Sequence, residues 1–312
     1  MGVRRLTFDL DLERARAVLR GVDPALEPRA VSRLHGGSTE VYRVDLAAGA
    51  PLVLKLYPDA PPWGPAKEPL VAGWIGEAAG IAIPRWIALD ESRAALPLRY
   101  ALISWLPGEA MRGLMDHPGA ADAFRQMGAL LRRFHAIAMP AFGYILGDGI
   151  ETPQADNATY MAGAFERAFR GFRGAGGDDD LGRRLEAVVA ARAAIFAHCP
   201  GPALCHDDFQ PGNVLAEAGA DGRIRLTGLL DFGNCRAGDP LMDLAKAIFS
   251  CGHECPASVA PLREGYGRVD HPDLEGALWL YTLYHRVAMW TWLTGLGDKP
   301  DALSRDLAEM AR

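Results

Sequence analysis

One short stretch, "CHDDFQPGNVL" (205–215), sets a histidine beside two aspartates and follows them with a Pro-Gly break and an asparagine. A third aspartate opens "DFG" at 231–233. Adjacent carboxylates repel, so the cluster is either a solvated turn or a place where positive charge sits. Between the two clusters, "NVLAE" (213–217) and "RIRLTGLLDF" (223–232) read as strands around the turn "AGADG". A hairpin of this kind would gather Asp208, Asn213 and Asp231 into one set of oxygen donors. Such oxygens suit a hard divalent cation, above all Mg²⁺, which keeps several waters and is usually shared with phosphate oxygens. Two of the three could hold metal while the third orients or deprotonates a hydroxyl, the division of labour that phosphoryl transfer requires.

The order "HDDFQPGN" then "LLDFG" closely resembles the H-x-D-x-x-x-x-N and D-[FW]-G elements of the aminoglycoside phosphotransferase and choline kinase family, relatives of protein kinases. The resemblance runs from about Val31 to beyond residue 290. It implies that Asp208 is the catalytic base and Asp207 is not, that Asn213 and Asp231 are metal ligands, and that His206 braces the loop. "AGDPLMDLAK" (237–246) resembles the family's G-D-P-x-x-D-L-A segment, which makes Asp239 and Asp243 structural.

A kinase-like site also needs a cation on the nucleotide phosphates. Lys55 stands in the apolar run "PLVLKLYP", where an unpaired ammonium is costly. The chain uses four lysines against 29 arginines, so a lysine kept there suggests that a point charge matters. The architecture makes Glu68 its natural partner, with Glu77 as fallback. "HGGSTEVYRV" (35–44) stands where a phosphate-covering loop belongs: Gly36 and Gly37 free the backbone N–H groups, and Ser38 and Thr39 add hydroxyls. Ser104, Trp105 and Leu106, in the hinge "ISWLPGE", are placed to offer backbone groups to the base of ATP, with GTP not excluded.

The elements that would carry these residues fall into two groups. A helix at 11–19, two strands around the glycine turn, a strand at "PLVLKLYP", a short helix ended by Gly80 and a strand in "RYALISWLPGE" make a small β-rich lobe, residues 1–106. From 107 to 312 the period becomes helical: Phe124, Met127, Leu130, Leu131, Phe134 and Ile137 mark a core-facing stripe. Residues 171–180 read as a loop, residues 181–197 as a helix, and the hairpin as one β island among helices. The expected fold is therefore α+β and bilobal, of protein-kinase type, with the catalytic hairpin in the larger lobe. Trp279, Tyr281, Tyr284, Trp290 and Trp292 are expected to pack the C-terminal core.

Charge narrows the partners. Residues 1–110 carry 13 basic and 13 acidic side chains; the remainder carries 20 and 26, so the net −6 lies entirely there. That balance speaks against nucleic acid and allows a cationic acceptor. Five scattered cysteines suit a reducing cytoplasm. The apolar stretch 277–294 holds His285 and Arg286 at its middle, which favours a core helix over a membrane span. The expected activity is transfer of the γ-phosphate of ATP to a hydroxyl of an aminoglycoside-like antibiotic, an amino alcohol or a sugar, by a monomer or homodimer. Two alternatives stand beside it: a nucleotide-binding module without transfer, and a metal-dependent phosphohydrolase using His206 and Asp207 as ligands.

Overall fold

The computed structural model describes residues 8–34, 40–57, 65–76 and 78–312. Helix α1 (Leu12–Val22) starts where the Asp11 carboxylate accepts the Arg14 N–H at 2.8 Å. Five antiparallel strands follow: β1 (Pro28–Leu34), β2 (Glu40–Leu46), β3 (Leu52–Tyr57), β4 (Trp86–Asp90) and β5 (Arg99–Ser104), in the order β1-β2-β3-β5-β4. The central strand β3 is buried along its whole length. Its two-residue period divides its side chains between two environments. Leu52, Leu54 and Leu56 join Val18 and Leu19 of α1 in one apolar cluster. Lys55 and Tyr57 point away from that cluster, toward helix α2 (Lys67–Ile75). Gly76, at φ 46°, closes α2, not Gly80.

The second lobe begins with β6 (Glu109–Ala110) and α3 (Ala120–Phe134), then β7 (Phe142–Leu146), β8 (Gly149–Gln154), α4 (Asn157–Gly174) and α5 (Asp179–Arg192). It continues with β9 (Ala203–Cys205), β10 (Val214–Ala218), β11 (Ile224–Leu229), β12 (Arg236–Gly238), α6 (Pro240–Glu254), α7 (Val259–Tyr266), α8 (Leu274–Gly295) and α9 (Asp301–Met310). The stripe of α3 is buried from Phe124 to Phe134, and Ile137 packs against the same core. Where α3 crosses α7 the backbones nearly touch. A Cβ on Gly265 would lie 1.9 Å from the Arg125 carbonyl oxygen, and one on Gly128 2.1 Å from that of Leu262. Val71 and Ile75 of α2 belong to this larger core, so α2 ties the lobes together.

Three expectations are corrected here. The single β island is two sheets, β11-β10-β6 and β8-β7-β12-β9. Strands as short as β6, β9 and β12 carry too few residues to show a period, and their partners lie far off in sequence. The loop at 171–180 is shorter than expected, because α4 runs on to Gly174 and Asp178 caps α5 by accepting the Leu181 N–H at 2.6 Å. Asp179 and Asp180 pair with Arg173, Arg183 and Arg184. On α8, Tyr281 and Tyr284 are buried, but Trp292 is 46% exposed and lies outside the core. No helix among the described residues is long and apolar enough to cross a membrane.

Candidate active site

The site forms where β3, α2 and the open end of the β10–β11 hairpin meet. Because the hairpin is antiparallel, with Val214 opposite Leu229, the residues just before β10 and just after β11 end up side by side. The Leu230 N–H donates to the Asn213 carbonyl at 2.8 Å, closing that end. Asp231 follows directly, at φ 62°.

Lys55 bridges the lobes. Its Nζ lies 2.8 Å from Glu68 Oε1 and 2.9 Å from Asp231 Oδ1. The same Glu68 oxygen accepts the Phe232 N–H at 3.1 Å, and Tyr57 donates its hydroxyl to the other. Burial favours loss of the Lys55 proton, but the charges of Asp231 and Glu68 outweigh it and hold the ammonium well above the ordinary lysine range. Burial likewise pushes the Asp231 carboxyl up, yet the Lys55 ammonium prevails and holds it down to about 2.

The loop 206–213 runs from β9 to β10 and is fastened from below. Asp243, buried on α6, accepts the backbone N–H groups of His206 (2.6 Å) and Asp207 (2.8 Å). His135 holds one of its oxygens at 3.0 Å and is itself bonded to the Tyr266 hydroxyl at 2.8 Å. The His206 ring sits among Phe134, Phe209 and Phe232 with Nε2 3.0 Å from the Leu230 carbonyl. It thus joins the loop to the residue before Asp231. Asp239 caps α6 by accepting the Leu241 N–H at 2.8 Å and takes the Tyr281 hydroxyl at 2.6 Å.

The two adjacent aspartates are separated by backbone geometry. Asp207 adopts φ 55°, a conformation that favours glycine, and this turns its side chain into the protein. There it forms a buried ion pair with Arg236, which donates to the Tyr284 hydroxyl at 3.1 Å. Asp208 faces the site. Its Oδ2 accepts the Asn213 side-chain amide at 3.0 Å, and Gln210 Nε2 stands 3.3 Å from both oxygens. Burial, reinforced by the charge of Asp231, raises its pKa above the usual carboxylate range. His206 is bonded to a carbonyl through Nε2 and Asp207 is paired with Arg236, while Nδ1 of the first and Oδ1 of the second make no hydrogen bond among the described residues.

Of the nucleotide-contacting residues expected from sequence, Lys55 and Glu68 are brought together. Gly36, Gly37, Ser38 and Thr39 lie outside the described residues, as does Glu77. Ser104 is engaged within the sheet, donating its N–H to the Arg85 carbonyl and accepting the Arg85 N–H on its hydroxyl, both at 2.9 Å. Trp105 and Leu106 are the first two residues beyond β5. The Trp105 ring carries the Arg43 guanidinium at 4.6 Å. Sequence reasoning missed Tyr57, Arg236, His135 and Gln210. For Tyr57 the signal existed: it lies two residues after Lys55 on a strand, hence on the same face.

This geometry agrees with comparison to known proteins. The sequence model of the phosphotransferase enzyme family matches residues 30–280, most of the chain. The protein belongs to this family. No curated protein matches it significantly in sequence. In structure it is similar to a fructosamine-3-kinase-like protein of Thermobifida fusca YX-ER1, with 23% identity, 95% of this chain and 96% of the other covered, and a TM-score of 0.67. It is also similar to aminoglycoside phosphotransferase APH(4)-Ia, with 20% identity, coverages of 95% and 99% and a TM-score of 0.67. A third, the GDP and kanamycin complex of APH(2")-IIia, shares 16% identity over 96% and 97% of the chains at a TM-score of 0.65. The chain therefore has the α+β, bilobal, protein-kinase-like fold.

Proposed function

We propose that this phosphotransferase is a cytoplasmic small-molecule kinase that moves the γ-phosphate of ATP to an alcohol hydroxyl. The observation that carries the reading is the Lys55 ammonium held between Glu68 and Asp231, with Asp208 beside Asn213 at the same hairpin end. The relatives support it: APH(4)-Ia forms a ternary complex with AMP-PNP and hygromycin B, and APH(2")-IIia one with GDP and kanamycin.

The oxygens present suit Mg²⁺. Asn213 spends its side-chain N–H₂ on Asp208, leaving the side-chain Oδ1 without a hydrogen bond among the described residues. Lys55 holds Asp231 Oδ1, and the Asp231 side chain is 35% exposed. Asn213 and Asp231 would hold the ion, an all-oxygen set of the kind magnesium prefers. When bound, Mg²⁺ neutralises charge on the nucleotide phosphates.

The protein's own groups do the rest. Lys55, fixed by Glu68, presents a point charge to the phosphates, and backbone groups of Trp105 and Leu106 meet the base. Asp208 accepts a hydrogen bond from the acceptor hydroxyl, aims its oxygen in line at the γ-phosphorus and takes the proton as the new bond to phosphorus forms and the bond from phosphorus to the β,γ-bridging oxygen breaks, with ADP leaving. Asn213 and Gln210 hold that carboxylate in orientation. The test is Asp208→Asn in an ATP-consumption screen over antibiotics, amino alcohols, sugars and hydroxy acids. The variant is expected to lose orders of magnitude in kcat at nearly unchanged nucleotide affinity. Near-normal turnover would remove Asp208 from the role, and nucleotide binding without turnover of any acceptor would favour a non-catalytic module.

A further inference from the structure

On α6, Asp243, Lys246, Ala247, Ser250 and Glu254 recur at three- and four-residue spacing and so share one face. Both ends of that face are fastened to the catalytic loop. Asp243 holds the backbone of His206 and Asp207. Glu254 grips Arg112 through two bonds, at 2.5 and 2.7 Å, and Arg112 donates to Gln210 at 2.7 Å, next to Asp208. The stretch of α6 between them therefore runs alongside Asp208. Lys246 lies in that stretch, half-buried, and its ammonium makes no hydrogen bond or ion pair among the described residues. Its charge nevertheless reaches Asp208, where it opposes the raising effects of burial and Asp231.

The acids around it are already committed. Asp207 pairs with Arg236, Asp243 takes two backbone N–H groups and His135, Asp239 takes Tyr281, and Glu254 takes Arg112. The acidic excess of the second lobe is thus largely spent inside it. What remains there is the Asp208 carboxylate and the Lys246 ammonium, which has no ion pair among the described residues. With the phosphates against Lys55, in-line transfer places the acceptor across Asp208 from that lysine, on the side that α6 borders. A half-buried cation there disfavours a polycation and needs an anion.

We infer that Lys246 is an acceptor-binding residue for an anionic group, a carboxylate or phosphate ester, carried by the hydroxyl substrate. This rests on the kinase reading above and narrows its acceptor to hydroxy acids and sugar phosphates, away from aminoglycosides and choline-like amines.

The test uses matched probes on the full chain with Mg²⁺ and ATP: ribose 5-phosphate against ribose, D-glycerate against glycerol, and kanamycin and choline as cations. The wild type should favour the anionic member of a pair by at least about tenfold in kcat/KM, the size of one charge-assisted hydrogen bond. Lys246→Ala should collapse that ratio toward one, chiefly through KM of the anionic probe, and Lys246→Arg should restore part of it. Binding is followed in parallel by thermal shift of the protein saturated with Mg²⁺ and AMP-PNP, where the anionic probes should stabilise the wild type and not Lys246→Ala. Preference for kanamycin or choline overturns the inference, as does absence of any shift with both anionic probes. So does a Lys246→Ala variant that raises KM for ATP while keeping the acceptor ratio, which would place the lysine on the transferred phosphate. Failure of the kinase reading itself looks different: AMP-PNP would give no shift, or Asp208→Asn would turn over normally.

Discussion

Removing the Arg236 guanidinium while keeping Asp207 should destabilise the protein more than any other single change near the loop. Arg236→Met preserves bulk but leaves a 7% exposed carboxylate without its partner, on a backbone already at φ 55°. Another candidate, His285, has its Nδ1 3.9 Å away, too far for a hydrogen bond. Burial pushes that imidazole down to about 4 against the pull of Asp207, so it is neutral at pH 7 and cannot substitute. Breaking one side of a buried ion pair costs about 3–5 kcal/mol. For a chain of this size, that lowers Tm by about 5–8 °C. Asp207→Gly with Arg236→Met removes both charges and gives the left-handed position the residue that adopts it freely, so the double variant should recover most of the loss. Urea melts of the four proteins in the cycle measure the coupling. An Arg236→Met loss below about 1 kcal/mol, or a double variant no more stable than the single, would refute the argument that the pair is what makes aspartate tolerable at 207.

Other consequences can be checked separately. Glu68→Gln weakens the hold on Lys55 and should raise KM for ATP about tenfold with a smaller change in kcat, measured by steady-state kinetics. Asp231 stays ionised down to about pH 2 while the Asp208 pKa is raised. Falling pH should therefore abolish turnover before Mg²⁺–AMP-PNP binding, and an acid limb below the ordinary carboxylate range would contradict this. Lys67 is fully buried against the Tyr144 ring at 3.7 Å, and burial pushes its ammonium down to about 7. The unfolded chain then binds more protons between about pH 7 and 10, so stability should rise with pH there, by at most about 1.4 kcal/mol per unit, a slope that Lys67→Met removes. Gly265→Ala drives a methyl into the Arg125 carbonyl, and a loss of several kcal/mol without change in the Asp208 environment is expected in thermal melts.

The grouping of the candidate site residues was legible in the sequence because they are close along the chain. Asp208, Asn213 and Asp231 flank one hairpin, and hairpin pairing is a local event that turn residues and strand period announce. The Lys55 assignment was legible for a different reason: an ammonium in an apolar strand must find a carboxylate. Which carboxylates it found, Glu68 and Asp231 together, depended on α2 packing into the core of the second lobe, and nothing local encodes that. The fate of the acidic excess was equally invisible. Net charge allowed a cationic acceptor, but only the fold shows that Asp207, Asp239 and Asp243 turn inward to Arg236, Tyr281 and the loop backbone, leaving Lys246 near Asp208. Sequence fixes which groups exist and which neighbours a turn can join. Long-range packing decides which charges cancel, because cancellation depends on distances of a few ångströms between residues far apart in the chain.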